Sequence, residues 1–531
     1  MDTPGTRSSW WFGATLYQVY VRSFRDTNAD GYGDLPGVTA QLDYLSWLGV
    51  DGIWLSPTMP SPDDDWGYDV SDYLGVHPEL GTLADLDELI AEAGRRDLRV
   101  LLDLVPNHTS SAHPWFVEAV SDPAGPYRGY YVWADPAPDG GPPNNWIAAT
   151  GESAWTLNQA SGQYYLHNFL PSQPDLNWWE PAVHEEFRDI LRFWFGRGVA
   201  GFRIDVAHGL YKDAQLRDDP PAPEGEVIRS RFGLAQVYSA NRAESHSVFR
   251  DWRKIADSYP VPRLLLGETW VGDLSSLAAF HGRGDELQLA FNFPFIFTGF
   301  TAEGLAAVVA GTLAELPAGE CPVWTASNHD ISRFPTRWCG GDERKARLAL
   351  LVLATLPGTV VLYYGDEIAM TDVDVPAALI RDKMRAEAGR KESRDRSRTP
   401  MPWDSSPSAG FTAAGVTPWL PYGEHATRNV AAERADPAAT LHLCRDLLAL
   451  RRAEFGGQLA SYTQLPSPPG LWLYQTGGLT TATNFTGAPV RLAGPLAGLG
   501  EVLISSDPAR DGTDGVLAPW SGIVARTGPT A

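Results

Sequence analysis

Eight short apolar runs, separated by stretches of helical periodicity, constrain this chain most. They are Thr15–Val21, Asp51–Leu55, Leu98–Leu104, the run from Val199 into Asp205, Arg263–Gly267, Leu287–Phe293, Pro322–Ser327 and Thr359–Tyr363. Between or beside them, Val38–Leu48, Leu83–Ala93 (with Thr82 as its cap), Val183–Arg197 and Leu441–Arg452 repeat apolar residues at helical spacing. The runs do not alternate apolar with polar. Such strands belong to a parallel sheet covered on both faces. Eight of them predict a (β/α)8 TIM barrel. An open doubly wound sheet is disfavoured, because no glycine-rich phosphate fingerprint follows the first strand.

The alternation breaks in two places. Residues 109–176 are rich in Pro, Gly, Asn and Trp, and Met370–Arg434 is a second irregular stretch full of Pro and charge. A stretch as long as the first is an inserted subdomain or a lid. From about Phe455, short apolar runs alternate with Gly and Pro, which fits an antiparallel β domain. The expected division is a catalytic barrel from 1–108 and 177–454, an inserted domain at 109–176 after strand 3, and a C-terminal β-sandwich at 455–531.

Composition excludes several classes of function. The formal net charge of −23 opposes binding to nucleic acid or to an anionic membrane, and leaves a neutral substrate unaffected. The first twenty residues lack a basic segment followed by an apolar one, and no run is long enough to span a bilayer. A cytoplasmic protein is expected, as a monomer or homodimer. Cys321, Cys339 and Cys444 are far apart and odd in number, so they read as reduced core thiols. The high aromatic share, 11% with 20 Trp, favours clefts that stack on flat ligand faces.

Chemistry gathers at the strand ends, where a barrel places its active site. Asp103, Asn107 and His108 follow strand 3. Arg203 and Asp205 end strand 4, on one face because side chains repeat every second residue. Glu268 ends strand 5, and Asn328, His329 and Asp330 end strand 7. Any one of these fits a cap or a core ion pair. Four strands delivering charge to one mouth favour a catalytic site. Carboxylates at Asp205, Glu268 and Asp330 suit glycoside cleavage, in which one carboxyl protonates the leaving oxygen and another attacks the anomeric carbon or activates water. Arg203 would hold Asp205 ionised, and neighbouring carboxylates would raise Glu268 so that it serves as acid. No GxSxG elbow, P-loop or HExxH is present.

An acidic loop follows the first strand. Asp26, Asn28, Asp30, the carbonyl of Tyr32 and Asp34 place oxygen at every second position, as a hard divalent cation requires. Ca2+ is expected, with Mg2+ as the alternative. Gly37 stands where a calcium hand carries its bidentate Glu, so this is not a helix–loop–helix site. An Asp/Gly-rich turn capping the next helix is the alternative, and the metal is the favoured reading. No organic cofactor is expected.

Several motifs then resemble a known group. DLVPNH (Asp103–His108), GFRIDVAH (Gly201–His208), GETW (Gly267–Trp270) and SNHD (Ser327–Asp330) resemble the four conserved regions of the α-amylase family of glycoside hydrolases (GH13). QPDLNW (Gln173–Trp178) and RTPMPW (Arg398–Trp403) resemble marks of its oligo-1,6-glucosidase and α-glucosidase branch. The resemblance implies a retaining mechanism with Asp205 as nucleophile, Glu268 as acid/base and Asp330 as transition-state stabiliser. It implies that Arg203 orients the nucleophile and that His108 and His329 meet the bound glucose. Asp65 and Tyr68 (in DWGYD) would close the non-reducing end, with Arg398 sealing the pocket and Phe169 as an apolar wall. It also places the metal loop at Asp26–Asp34 and the inserted domain over the mouth.

A sealed pocket implies exo release of glucose. Val206, after the nucleophile, accompanies α-1,6 or broad specificity in this branch, whereas the AHG that follows looks more like maltose-type α-glucosidases. The resulting expectation is an α-1,4-acting α-glucosidase on short oligosaccharides, with transglucosylation. The alternatives are an oligo-1,6-glucosidase, or a glucosyltransferase or isomerase such as a sucrose isomerase or trehalose synthase.

Overall fold

Strands that are apolar on both sides need a cover on both, and here they obtain it by closing on themselves. In the computed structural model, which describes residues 9–224, 230–384, 393–492, 500–509 and 512–527, eight strands form one sheet. They are β1 (Thr15–Val19), β2 (Gly52–Leu55), β3 (Arg99–Leu104), β4 (Gly201–Ile204), β5 (Leu264–Gly267), β6 (Leu289–Ala290), β7 (Val323–Thr325) and β8 (Thr359–Tyr363). All neighbours are parallel, in the order β6-β5-β4-β3-β2-β1-β8-β7. The pairing of β8 with β1 curls the sheet into a nearly closed barrel, whose open seam lies between β6 and β7. The first eight residues, 385–392 of the irregular stretch, and 493–499, 510–511 and 528–531 of the C-terminal region lie outside the described residues.

Period-two alternation sorts each strand's side chains into two layers. Leu16, Trp54, Leu101, Leu264, Leu266, Leu289, Val323 and Val361 pack together inside the barrel. Their neighbours Tyr17, Ile53, Val100, Leu102, Phe202, Leu265, Trp324 and Val360 join the larger core that the helices cover. The inward series continues upward as Leu101 to Asp103, as Gly201 to Arg203 and Asp205, and as Leu266 to Glu268. The charged residues therefore form the top layer of the same interior.

Two expected elements differ. Val38–Leu48 is not one helix but two, Leu35–Ala40 and Leu42–Leu48, interrupted at Gln41, whose ψ of 6° leaves the helical range. The sixth strand is only Leu289–Ala290. Asn292 accepts a hydrogen bond from the Phe295 amide and starts a helix at Phe293, which ends the strand early.

Residues 109–176 carry a helix, Pro114–Ser121, and a three-stranded antiparallel sheet with Gln163–Leu166 between Trp133–Ala134 and Trp155–Asn158. This insert has its own small core of Trp146, Trp155 and Leu166. Bridges from His108 to Asp175 and from Tyr131 to Leu176 tie its two ends together. After the helix Thr440–Phe455, the chain builds a five-stranded antiparallel sheet and a two-stranded one. Cys321, Cys339 and Cys444 are buried and unbridged. Among the described residues no helix is long and apolar enough to cross a membrane.

The helix Leu83–Gly94 shows how local sequence fixes an element. The Thr82 side chain accepts from the Asp85 amide, and Asp85 accepts in return from the Thr82 amide at 2.7 Å. Thr82→Ala should cost about 1 kcal/mol in urea unfolding, while Thr82→Asp, itself a strong cap, should retain most of it.

Candidate active site

One cavity of about 440 Å3 opens at the C-terminal ends of the strands. It is lined by Asp65, Tyr68, His108, Phe169, Asp205, Val206, Glu268 and Asp330 from the expected set, and by His208, Trp270 and Arg394 beside them. The guanidinium of Arg203 lies beneath, fully buried. Its Nη1 donates to Asp103 at 2.8 Å and to Asp205 at 2.6 Å, and its Nη2 lies 2.8 Å from Glu268. Three adjacent strands thus converge on one cation. Asp103 also accepts from the Tyr68 hydroxyl at 3.0 Å and from the Trp54 indole at 3.2 Å.

One positive charge faces three carboxyls here, and all three are buried. Burial pushes Asp103 up to about 7 against the pull of Arg203. Burial likewise raises Asp205 well above the usual carboxylate range, with Arg203 opposing and Glu268, Asp103 and Asp330 adding to the rise.

Glu268 is held from the other side by backbone. Its Oε2 accepts from the Val206 amide at 2.9 Å, and its Oε1 from the Trp270 indole at 3.2 Å. The first contact requires an unusual conformation: Val206 has a φ of 45°, a left-handed value that a β-branched residue rarely adopts.

Asp330 sits in the opposite electrostatic setting. Burial works against its charge, yet His329, Arg394, Arg398 and Arg203 together hold it well below the usual range. The His329 ring lies flat on Tyr68, with centroids 5.1 Å apart and planes 1° apart. Gln18 Nε2, from β1, is 2.8 Å from His329 Nδ1, which leaves His329 Nε2 facing Asp330 at 3.0 Å. Burial lowers His108, His208 and His329, so all three are neutral donors or acceptors at neutral pH.

The arginine that closes the cavity is Arg394, not Arg398. Arg398 is fully buried behind the cavity, donating to the His329 carbonyl at 2.8 Å and to Asp330 at 3.1 Å. Arg394 lines the cavity and joins Asp65 at 2.6 Å, Asp382 at 2.7 Å and Asp330 at 3.2 Å. A single 3-10 turn, Arg394–Ser397, decides which arginine reaches in. Gln173 completes that end, lying 3.2 Å from Asp65 and 3.1 Å from His108. Phe169 packs against His108, with centroids 5.0 Å apart. Arg231, Phe232 and Gln236 also line the cavity. They come from a short hairpin and its flank after β4, and no sequence period marks them.

The acidic loop lies outside the cavity. Asp26 accepts from the Asn28, Ala29 and Gly31 amides, and Asp34 from Thr27 and the Gly37 amide, where it caps the helix Leu35–Ala40. Asn28 accepts from the Asp30 amide and Asp30 from the Tyr32 amide. Among the described residues the cluster of three acidic or imidazole groups within 4.8 Å is a different one, Asp63, His77 and Glu79. Arg22 already pairs with Asp63 at 2.6 Å and with Glu79 at 2.7 Å.

The sequence pattern described as Alpha amylase, catalytic domain matches residues 18–456. The chain belongs to the α-amylase family. This family member is 41% identical over 461 residues to a probable alpha-glucosidase of Rhizobium meliloti (strain 1021), covering 84% of this chain and 83% of that one. It is 35% identical to an oligo-1,6-glucosidase of Heyndrickxia coagulans, over 88% and 90% of the two chains. Among solved structures, the alpha-glucosyl transfer enzyme XgtA superposes with a TM-score of 0.90 at 36% identity, covering 98% of this chain and 99% of the other. The α-amylase family member described here is a glycoside hydrolase of the α-glucosidase type.

Arg394→Gln should lower kcat/KM for 4-nitrophenyl α-glucoside by roughly a hundredfold, because Asp65 and Asp330 lose their shared anchor. The sign of the pH effect follows from Asp330. Its folded value is depressed, so its stabilising contribution is complete above the unfolded carboxylate value and fades as pH falls through the folded one. The stability gap between wild type and variant should therefore be full at pH 7 and shrink in acid, as measured by urea unfolding across pH.

Proposed function

We propose that the enzyme is a retaining, exo-acting α-glucosidase that removes glucose from the non-reducing end of short α-1,4-linked oligosaccharides. The observation that carries this reading is the Asp65–Arg394–Asp330 closure at one end of the cavity. A chain cannot run past it, so only a terminal sugar fits.

Asp205 attacks the anomeric carbon, and Glu268 gives its proton to the leaving oxygen. Water, or an acceptor alcohol, then yields its proton to Glu268 and opens the glucosyl ester. Retention is supported by the shared guanidinium: carboxylates on the two terminal nitrogens of Arg203 stand close together, the arrangement of retaining enzymes. Asp330, kept ionised, accepts from ring hydroxyls as charge develops on the sugar. Neutral His108 and His329 bond further hydroxyls. Tyr68 and Phe169 face the sugar with apolar surface.

Maltose-type α-1,4 linkages, with some α-1,6 tolerance and transglucosylation, are the preferred substrates in this reading. The likeness to a probable alpha-glucosidase supports release of glucose, the likeness to an oligo-1,6-glucosidase supports the α-1,6 tolerance, and the likeness to XgtA supports transfer. The acidic loop adds a structural cation, Ca2+ or Mg2+, held by Asp26, Asn28, Asp30, the Tyr32 carbonyl and Asp34. Its donors are all oxygen, and two of its carboxylates, Asp26 and Asp34, are buried, which fits a hard cation.

Asp205→Asn should abolish hydrolysis of 4-nitrophenyl α-glucoside, and Glu268→Gln should accumulate a glucosyl-enzyme with an activated fluoride donor, seen by mass spectrometry. Near-normal turnover in the first, or no trapping in the second, counts against the assigned roles. A product profile over maltose, isomaltose, sucrose and trehalose tests the linkage. For the cation, chelator-treated enzyme should gain melting temperature on adding Ca2+, and Asp30→Ala should remove that gain.

A further inference from the structure

The mouth of the cavity carries one residue that its local backbone disfavours. Ser230–Arg231 pairs antiparallel with Leu234–Ala235, leaving Phe232 and Gly233 as a two-residue hairpin loop. Both have positive φ, 49° and 86°. Loops of this type favour Asn-Gly or Asp-Gly, because the first position must be left-handed. A phenylalanine there is a conformational outlier. The ring gains no compensating burial, being 54% exposed.

Three further observations show where that ring belongs. Phe232 lines the active cavity, and every other lining residue is buried or half-buried, so Phe232 stands at its entrance. Across from it lies Gly151 of the insert, where an added Cβ would come within 3.0 Å of the ring. The hairpin is also anchored to the insert, through Arg231 Nη1 on Asn168 Oδ1 at 3.0 Å. The ring is thus held in place, with space kept for it on the facing side.

We propose that Phe232 is a stacking platform for the unit on the far side of the cleaved bond, either the leaving group or the accepting alcohol. This rests on the exo reading, in which the closed end takes the glucose and the entrance takes the rest. The partner is a unit with a flat apolar face, either the C–H face of a pyranose or an aryl ring. In transfer, the bond between Asp205 and the anomeric carbon breaks, the acceptor oxygen bonds to that carbon, and its proton passes to Glu268. The platform orients the acceptor for that step and takes no part in the bond changes.

The test compares Phe232→Ala, Phe232→Asn and Phe232→Tyr with wild type. The readout is kcat/KM for maltose and for 4-nitrophenyl α-glucoside, each divided by kcat/KM for α-glucosyl fluoride, whose leaving group has no face to stack. Both ratios should fall roughly tenfold in the Ala and Asn variants and recover in the Tyr variant. A fall for maltose alone assigns the platform to a pyranose, and a fall for the aryl glucoside alone assigns it to an aryl ring. Unchanged ratios overturn the proposal. Phe232→Asn should also melt no lower than wild type, since Asn suits the turn. A clear drop would make the ring a structural contact and likewise overturn it. Internal cuts in a longer α-1,4 glucan by wild type would count against the exo reading alone, leaving the ratios to decide on Phe232.

Discussion

The guanidinium of Arg203 is the interaction on which the site depends. It is buried, as are the three carboxyls around it. Each ion left unpaired in such a place would cost several kcal/mol. The pairing depends on strand register: Arg203 stands opposite Asp103 on β3 and opposite Leu266 on β5, two residues before Glu268. A slip of one residue would turn Arg203 into the outer apolar layer, in the place of Phe202. The barrel's hydrogen-bond register is thus a condition for the chemistry, and the apolar interior below holds that register.

A second charge cluster sits against the first with the opposite balance. Around Arg203 one cation meets three carboxyls, and burial drives Asp103 and Asp205 upward. Around Asp330, two arginines and a neutral histidine stand close, and its charge is secured. Carboxyls of one cavity thus lie close together with their pKa values driven apart. The fold achieves this by letting Arg394 and Arg398 arrive from one loop, four residues apart, at the same oxygen of Asp330.

That loop also marks the limit of what could be read in advance. The barrel was legible because unbroken apolar runs leave a parallel sheet as the natural solution. The pairing of Arg203 with Asp205 was legible from the two-residue repeat of a strand. Arg394 was not, because a 3-10 turn in an irregular segment has no period that tells which arginine faces inward, and RTPMPW drew attention to Arg398 instead. Gln18, which supports His329, had a fainter signal: an amide within the otherwise apolar β1. Arg231, Phe232 and Gln236 gave none, since their positions follow from a hairpin docked on the insert. The break at Gln41 was hidden because the apolar spacing runs on through it.

Strain connects the two ends of the cavity. Val206, beside Asp205, and Phe232, at the entrance, both have left-handed backbone, near φ 45° and 49°. Each such residue costs on the order of 1–3 kcal/mol and persists where surrounding structure fixes it. For Val206 the return is visible: its amide reaches Glu268 and ties the end of β4 to the end of β5. Its side chain, which lines the cavity, is therefore positioned by a backbone conformation adopted to hold Glu268. Replacing Val206 would alter the pocket wall and the seat of Glu268 together.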